Sequence, residues 1–167
     1  SRIVETYDYR DEKGVLLYQV CRFEPKDFRQ RRPKPGGGWL WSVKGVRQVP
    51  YNLPKIVAPD APETICIVEG EKDCDNAAKI ELTAATIAGG AGKWRDEYLP
   101  WFKEALVVCV PDNDIPGKKG MGLIASRIAT VARKAVWLEL PGLPEKGDLS
   151  DWLKIEGNDL AAFREMV

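Results

Sequence analysis

The stretch "LVVCVPDND", residues 106 to 114, sets five apolar residues and a proline in front of two aspartates, Asp112 and Asp114. An apolar run this short and this uniform has the length of a strand covered on both faces, as in a parallel sheet flanked by helices. Two like charges closing such a strand repel and raise one another's pKa, an arrangement that is costly unless a cation neutralises it. The next residues, "IPGKKG" (115 to 120), add glycines and lysines.

Three further apolar runs lie on either side, "ICIV" (65 to 68), "AATIA" (84 to 88) and "AVWLEL" (135 to 140). Between and after them come helix candidates, "KDCDNAAKIEL", "EYLPWFKEA", "GLIASRIATVARKA" and a C-terminal "NDLAAFREMV" with an Asn or Asp cap. In the third, Ile124, Ile128 and Val131 share one helical face. Strands alternating with helices predict an α/β unit with a mostly parallel sheet. In such sheets ligands gather at the carboxyl ends of the strands. The first run ends in Glu69 and Gly70, the third in Asp112 and Asp114, and the fourth is followed by Asp148 and Asp151. Three separated stretches thus carry carboxylates toward one rim. Oxygen ligands without imidazole or thiolate favour Mg²⁺ or Mn²⁺.

Residues 1 to 57 differ in character. They hold 12 Lys and Arg against 6 Asp and Glu, and the remaining 110 residues hold 13 against 19, so a neutral chain has a basic front and an acidic back. "IVETYDY" (3 to 9) and "VLLYQVCRF" (15 to 23) predict a hairpin around "RDEKG", the Pro- and Gly-rich stretch after "FRQRR" a mobile loop, and "WLWSV" a third short strand. "NLPKIVAPDAPE" (52 to 63) reads as a connector, placing a boundary between a β-rich basic unit, 1 to 57, and an α/β unit, 58 to 167. The chain does not begin with Met and opens in mid-strand, as a fragment of a longer protein would.

There is no histidine, and the four cysteines form no CxxC pair, which argues against a zinc site and against imidazole catalysis. Cys66 and Cys109 sit in apolar runs as small buried hydrophobes, in keeping with a reducing, cytoplasmic setting. Neither a signal peptide nor a run of about 18 apolar residues is present, so no membrane partner is expected.

With "ICIVEGEKD", "LVVCVPDND" and "KGDLSDW" in place, residues 64 to 155 resemble the Toprim domain, the Rossmann-like module shared by bacterial-type primases, type IA and type II topoisomerases and related small nucleases. Within that group the chain is most similar to primases and primase-helicases of phages, plasmids and integrated elements. The resemblance implies Glu69 as acid-base residue, Mg²⁺ on Asp112 and Asp114, and Asp148 with Asp151 completing the metal site. It also implies a β-rich linker in residues 1 to 57, with a zinc-binding ribbon and a helicase elsewhere in a longer chain. None of the five tyrosines is marked as a strand-cleaving nucleophile.

The loop "AGGAGKW" (88 to 94) fails as a nucleoside-triphosphatase P-loop, because Ile87 and Trp94 stand where Gly and Ser or Thr are needed. Gly89, Gly90 and Gly92 still let backbone N–H groups approach a phosphate, with Lys93 adding charge. Lys72, Lys118 and Lys119 flank the acidic stretches, and Arg29, Arg31, Arg32 and Lys34 stand among Phe28, Trp39 and Trp41, the composition of a single-strand binding surface. The expected function is metal-dependent nucleotidyl transfer, making a primer on single-stranded DNA from nucleoside triphosphates. The alternatives are a Toprim nuclease and a nucleic-acid-binding module with a vestigial metal site.

Overall fold

The computed structural model describes residues 1 to 167 as an antiparallel sheet packed on a parallel one. The first sheet is built from β1 (Arg2–Arg10), β2 (Leu16–Glu24), β3 (Asp27–Pro33) and β4 (Trp39–Leu40), side by side in that order. The β1–β2 loop closes where expected. The Asp11 carboxylate accepts the N–H groups of Lys13 and Val15, both at 2.9 Å, and Gly14 takes the positive φ of 85° that the turn requires.

The arginine-rich segment differs from expectation. It forms the third strand, β3, and "WLWSV" contributes only the two residues of β4 as a fourth. The intervening loop shrinks to residues 34 to 38, closed by Lys34 N–H to Gly38 O at 3.0 Å and Gly37 N–H to Lys34 O at 3.1 Å. Pairing with β2 makes this segment a strand despite its polarity, Arg22 facing Phe28, Val20 facing Gln30 and Gln19 facing Arg31.

Alternation along the strands divides this sheet into two faces. Tyr7, Tyr9, Tyr18 and Val20 turn inward, joined by Tyr51 just before the connector, and the Tyr9 and Tyr18 rings stack at 4.7 Å. The opposite face carries Asp8, Gln19 and Arg31 in one cross-strand row and Cys21 with Arg29 in the next. The connector is tied down and partly helical. The N–H of Tyr51, the residue before it, donates to Thr86 O and Asn52 Nδ2 donates to Ala84 O, both at 2.8 Å, and α1 (Leu53–Val57) buries Leu53 and Ile56.

The parallel sheet has the order β6-β5-β7-β8, with β5 (Thr64–Ile67), β6 (Ala84–Ala85), β7 (Leu106–Cys109) and β8 (Lys134–Trp137). After β5 the chain passes through α2 (Glu71–Ala78) to β6 on one side, then returns to β7 on the other. The crevice between β5 and β7 is therefore the point where the winding reverses, the usual ligand position in such sheets. Both faces are covered. Cys66, Val68, Val108 and Val110 join the inward tyrosines in one core of 21 residues, while Ile65, Ile67, Val107 and Cys109 pack with Met121, Ile124 and Ile128 in another of 12. All four cysteines are free and buried.

Helix α3 (Ile115–Ile128) starts seven residues before the expected Gly122, because the Asp114 carboxylate caps it by accepting Gly117 N–H at 2.6 Å. It stops at Ile128, which leaves Val131 in the following turn. The segment around Pro100 is a 3-10 helix, Asp96–Phe102, since proline cannot donate the N–H that an α-helix needs there. Two short helices complete the chain. Asp148 caps α4 (Leu149–Leu153), and Asp159 caps α5 (Leu160–Glu165), the anticipated C-terminal helix. No helix is long and apolar enough to cross a membrane.

Candidate active site

Glu69 follows β5, and Asp112 and Asp114 follow β7, so the parallel register of these strands carries the three acids to the same end of the sheet. They meet around Gly117. A Cβ there would stand 2.6 Å from Glu69 Oε2, 2.8 Å from Asp114 Oδ1 and 3.0 Å from Asp112 Cβ. The Asp112 N–H donates a short hydrogen bond to Glu69 Oε2, which links the two strand ends directly.

Crowding shows in the electrostatics. Burial, and then the charges of Glu69, Asp73, Asp148 and Asp114, push the Asp112 carboxyl up to about 8. Burial also raises Glu69, opposed by the N–H of Asp112 and reinforced by Asp114 and Asp73. Carboxylates held this way are short of positive charge.

Asp148 reaches the same region from α4, where it lines one cleft with Glu69 and Asp112. Its oxygens are already engaged, one accepting Asp151 N–H at 2.9 Å and the other Lys72 Nζ at 3.0 Å. Asp151 is placed differently. Its carboxylate turns back to the Asp148 N–H at 3.0 Å, completing a capping box, and pairs with Lys154 at 3.6 Å, outside the cleft. As the side chains stand, no three acidic or cysteine groups are arranged to hold one metal ion. Glu69, Asp114 and Asp148 instead take backbone N–H groups and a lysine as local partners.

Asp73 belongs to this centre and was not among the residues singled out in the sequence. It is 4% exposed, and its Oδ1 accepts both the N–H and the hydroxyl of Ser150, at 3.1 and 2.5 Å, fastening α4 to α2. Lying four residues beyond Glu69 and inside a helix, it carried no signal separating it from an ordinary helical acid.

The expected phosphate-binding residues divide into groups. Gly89 and Gly90 adopt positive φ of 82° and 79°, and the loop packs so closely on α3 that a Cβ at Gly120 would lie 2.7 Å from Ala91 Cβ. Gly92 and Lys119 line a cleft of about 590 Å³ with Glu69, Asp112 and Asp114. Gly89 and Lys93 face a second cleft of about 690 Å³ beside Lys44, Arg47 and Arg95. Lys118 turns away, 2.5 Å from Glu139.

Arg29 and Arg31 are not brought to the acids. They stand on the outer face of the first sheet, Arg29 over the Phe23 ring at 4.6 Å and Arg31 over Trp39 at 4.0 Å and Trp41 at 5.3 Å. Arg32 donates to Lys44 O at 3.3 Å, and Lys34 is exposed in the β3–β4 turn. The inner face of the same sheet sends Arg22 and Phe28, and the β2–β3 turn sends Lys26, to the third cleft, about 220 Å³, opposite Glu69, Lys72, Asp112 and Asp148. Finding them required the strand register that sets face against face.

The chain matches no protein-family model and no curated protein. Among solved structures it is similar to a DNA primase domain from Pseudomonas aeruginosa, with 21% identity and a TM-score of 0.70 over 96% of this chain and 49% of that one. The primase fragment of the bacteriophage T7 primase-helicase gives 20% and 0.59, over 87% of this chain and 55% of the other. A DnaG primase catalytic domain solved with single-stranded DNA gives 20% and 0.69, over 96% and 51%. The chain spans about half the length of the structures it matches, and what it shares with them is the fold of the primase catalytic core.

Proposed function

We propose that this chain is the Toprim-bearing catalytic part of a DNA primase, joining nucleoside triphosphates into a primer on single-stranded DNA. The observation that supports it best is the convergence of Glu69, Asp112 and Asp114 at the β5/β7 crevice of a primase-core fold. The donor set fits a hard divalent ion such as Mg²⁺ or Mn²⁺, being all oxygen, short of positive charge and free of imidazole. Glu69, Asp112 and Asp114 would hold the ion, with Asp148 beside them once Lys72 lets go. When bound, it supplies charge neutralisation at the phosphates and polarises the reacting phosphorus centre.

The chain's own groups do the rest. Glu69, with its raised proton affinity, is suited to take the proton of an attacking 3′-hydroxyl. Lys72 and Lys119 lie on opposite sides of the carboxylates, in the two clefts that Glu69 and Asp112 share, where each can meet a phosphate. Lys93 and the backbone of Gly89 face the cleft with Lys44 and Arg95, a path for a nucleic-acid strand. A zinc-binding part for template choice and a helicase would belong to other segments of a longer protein.

Incubation with single-stranded template, the four nucleoside triphosphates and Mn²⁺ is expected to yield short new strands. Glu69→Gln and Asp112→Asn should each reduce them by about 100-fold or more while the circular dichroism spectrum stays unchanged. Shortened templates without new strands would turn the assignment toward phosphodiester hydrolysis. DNA binding that weakens with salt and ignores divalent metal would reduce it to a binding module.

A further inference from the structure

Building on the nucleotidyl-transfer reading, we infer that Phe28 is the surface on which the base of a nucleoside triphosphate stacks, at the rim of the cleft between the first sheet and the carboxylates. Phe28 lines that cleft together with Arg22 and Lys26 on one wall and Glu69, Lys72 and Asp112 on the other. Cations and a carboxylate centre suited to a metal thus share one space with an aromatic ring, the three chemistries a metal-bound nucleotide presents in its phosphates and its base.

The other aromatic rings of the first sheet are occupied. Arg31 lies over Trp39 and Trp41, Arg29 lies over Phe23, and Phe23 packs on Trp41 at 5.8 Å. Tyr7, Tyr9 and Tyr18 are buried in the core. Phe28 is 49% exposed, and none of the ring pairs or guanidinium contacts in the molecule involves it. An exposed ring on a strand otherwise made of polar residues and proline has no packing reason to be there.

Arg22 adds an independent sign. It is the direct cross-strand partner of Phe28, so the two side chains stand together on the inner face. Its Nε–H is buried and has no acceptor in the protein. An unpaired buried donor is costly, and turning the Arg22 guanidinium toward a phosphate in the cleft it lines would satisfy it. Stacking tolerates any base, because every base has a π-face. A primer-making site that must accept four nucleotides in turn needs that tolerance.

The test compares ATP with inorganic tripolyphosphate, which carries the phosphate chain and no base, by calorimetric titration in Mg²⁺. Phe28→Ala is expected to weaken ATP by about tenfold, within the range for losing one base–aromatic stack, and to leave tripolyphosphate unchanged. Phe28→Tyr should restore ATP affinity, which a merely structural role would not predict for the ATP arm alone. If Phe28→Ala leaves ATP unchanged, or weakens both ligands alike, the stacking role is refuted and nucleotidyl transfer still stands. If the unaltered chain binds neither ligand, both the stacking role and the nucleotide site fall.

Discussion

At Gly117 the first turn of α3 runs so close to the carboxylates of Glu69 and Asp114 that a single methyl group would displace them, and it would also press on the Cβ of Asp112. Its backbone is ordinary helix, so a substitution there tests space and not strain. Alanine's gain in helix propensity is set there against the Asp114 cap that its methyl group displaces, worth about 0.5–2 kcal/mol, so Gly117→Ala should lower the melting temperature only modestly. The carboxylates of Glu69 and Asp114 must swing aside, and Mn²⁺ affinity measured by titration should fall by about tenfold or more, the effect of disturbing the groups that orient metal ligands. Unchanged Mn²⁺ binding in Gly117→Ala would mean that the centre does not depend on this packing. Glu69, Asp112 and Asp114 were legible in the sequence because each closes an apolar run, where chain direction alone fixes which end of the sheet it reaches. Gly117 and Asp73 were not, since the importance of each lies in what stands opposite it.

Helix α4 is five residues long, and its N-terminus depends on the reciprocal hydrogen bonds of Asp148 and Asp151. These acids were read in the sequence as metal ligands. The structure gives both a capping role and leaves only Asp148 facing the cleft. The two roles separate by substitution. Asp148→Ala removes the cap and should cost about 0.5–2 kcal/mol in urea unfolding, whereas Asp148→Asn keeps a capping oxygen and should cost far less. If Asp148 also serves the ion, Asp148→Asn will weaken Mn²⁺ binding despite near-normal stability; an unaltered titration would restrict the residue to its cap. Other elements escaped the sequence for local reasons. A proline and two glycines hid the first two turns of α3, and five polar residues hid β3, which owes its strand conformation to pairing with β2.

The basic front and the acidic back of the chain share one hydrophobic core, and helix α2 is where they are joined. Glu71 and Asp75, one turn apart on α2, accept the hydroxyls of Tyr9 at 2.8 Å and Tyr51 at 2.7 Å. The same helix begins two residues after Glu69, so the first sheet steadies the strand end that bears the catalytic candidate. Composition alone could show two units of opposite charge, but which face of the first sheet turns inward follows from register, and register placed Arg29 and Arg31 outside and Arg22 and Phe28 inside. The joint has a measurable asymmetry. Burial raises Glu71, whose carboxylate depends on Tyr9 for a hydrogen bond, while Asp75 is exposed and can turn to water. Tyr9→Phe should therefore cost about 1–3 kcal/mol, the range for removing a hydrogen bond to a half-buried charged acceptor, and Tyr51→Phe about 1 kcal/mol or less. Both variants should unfold in urea in one transition with the slope of the parent chain, as a shared core requires. Two separated transitions in the parent chain would show that the sheets fold as independent bodies and that α2 is not their joint, and equal losses in the two variants would overturn the asymmetry between Glu71 and Asp75.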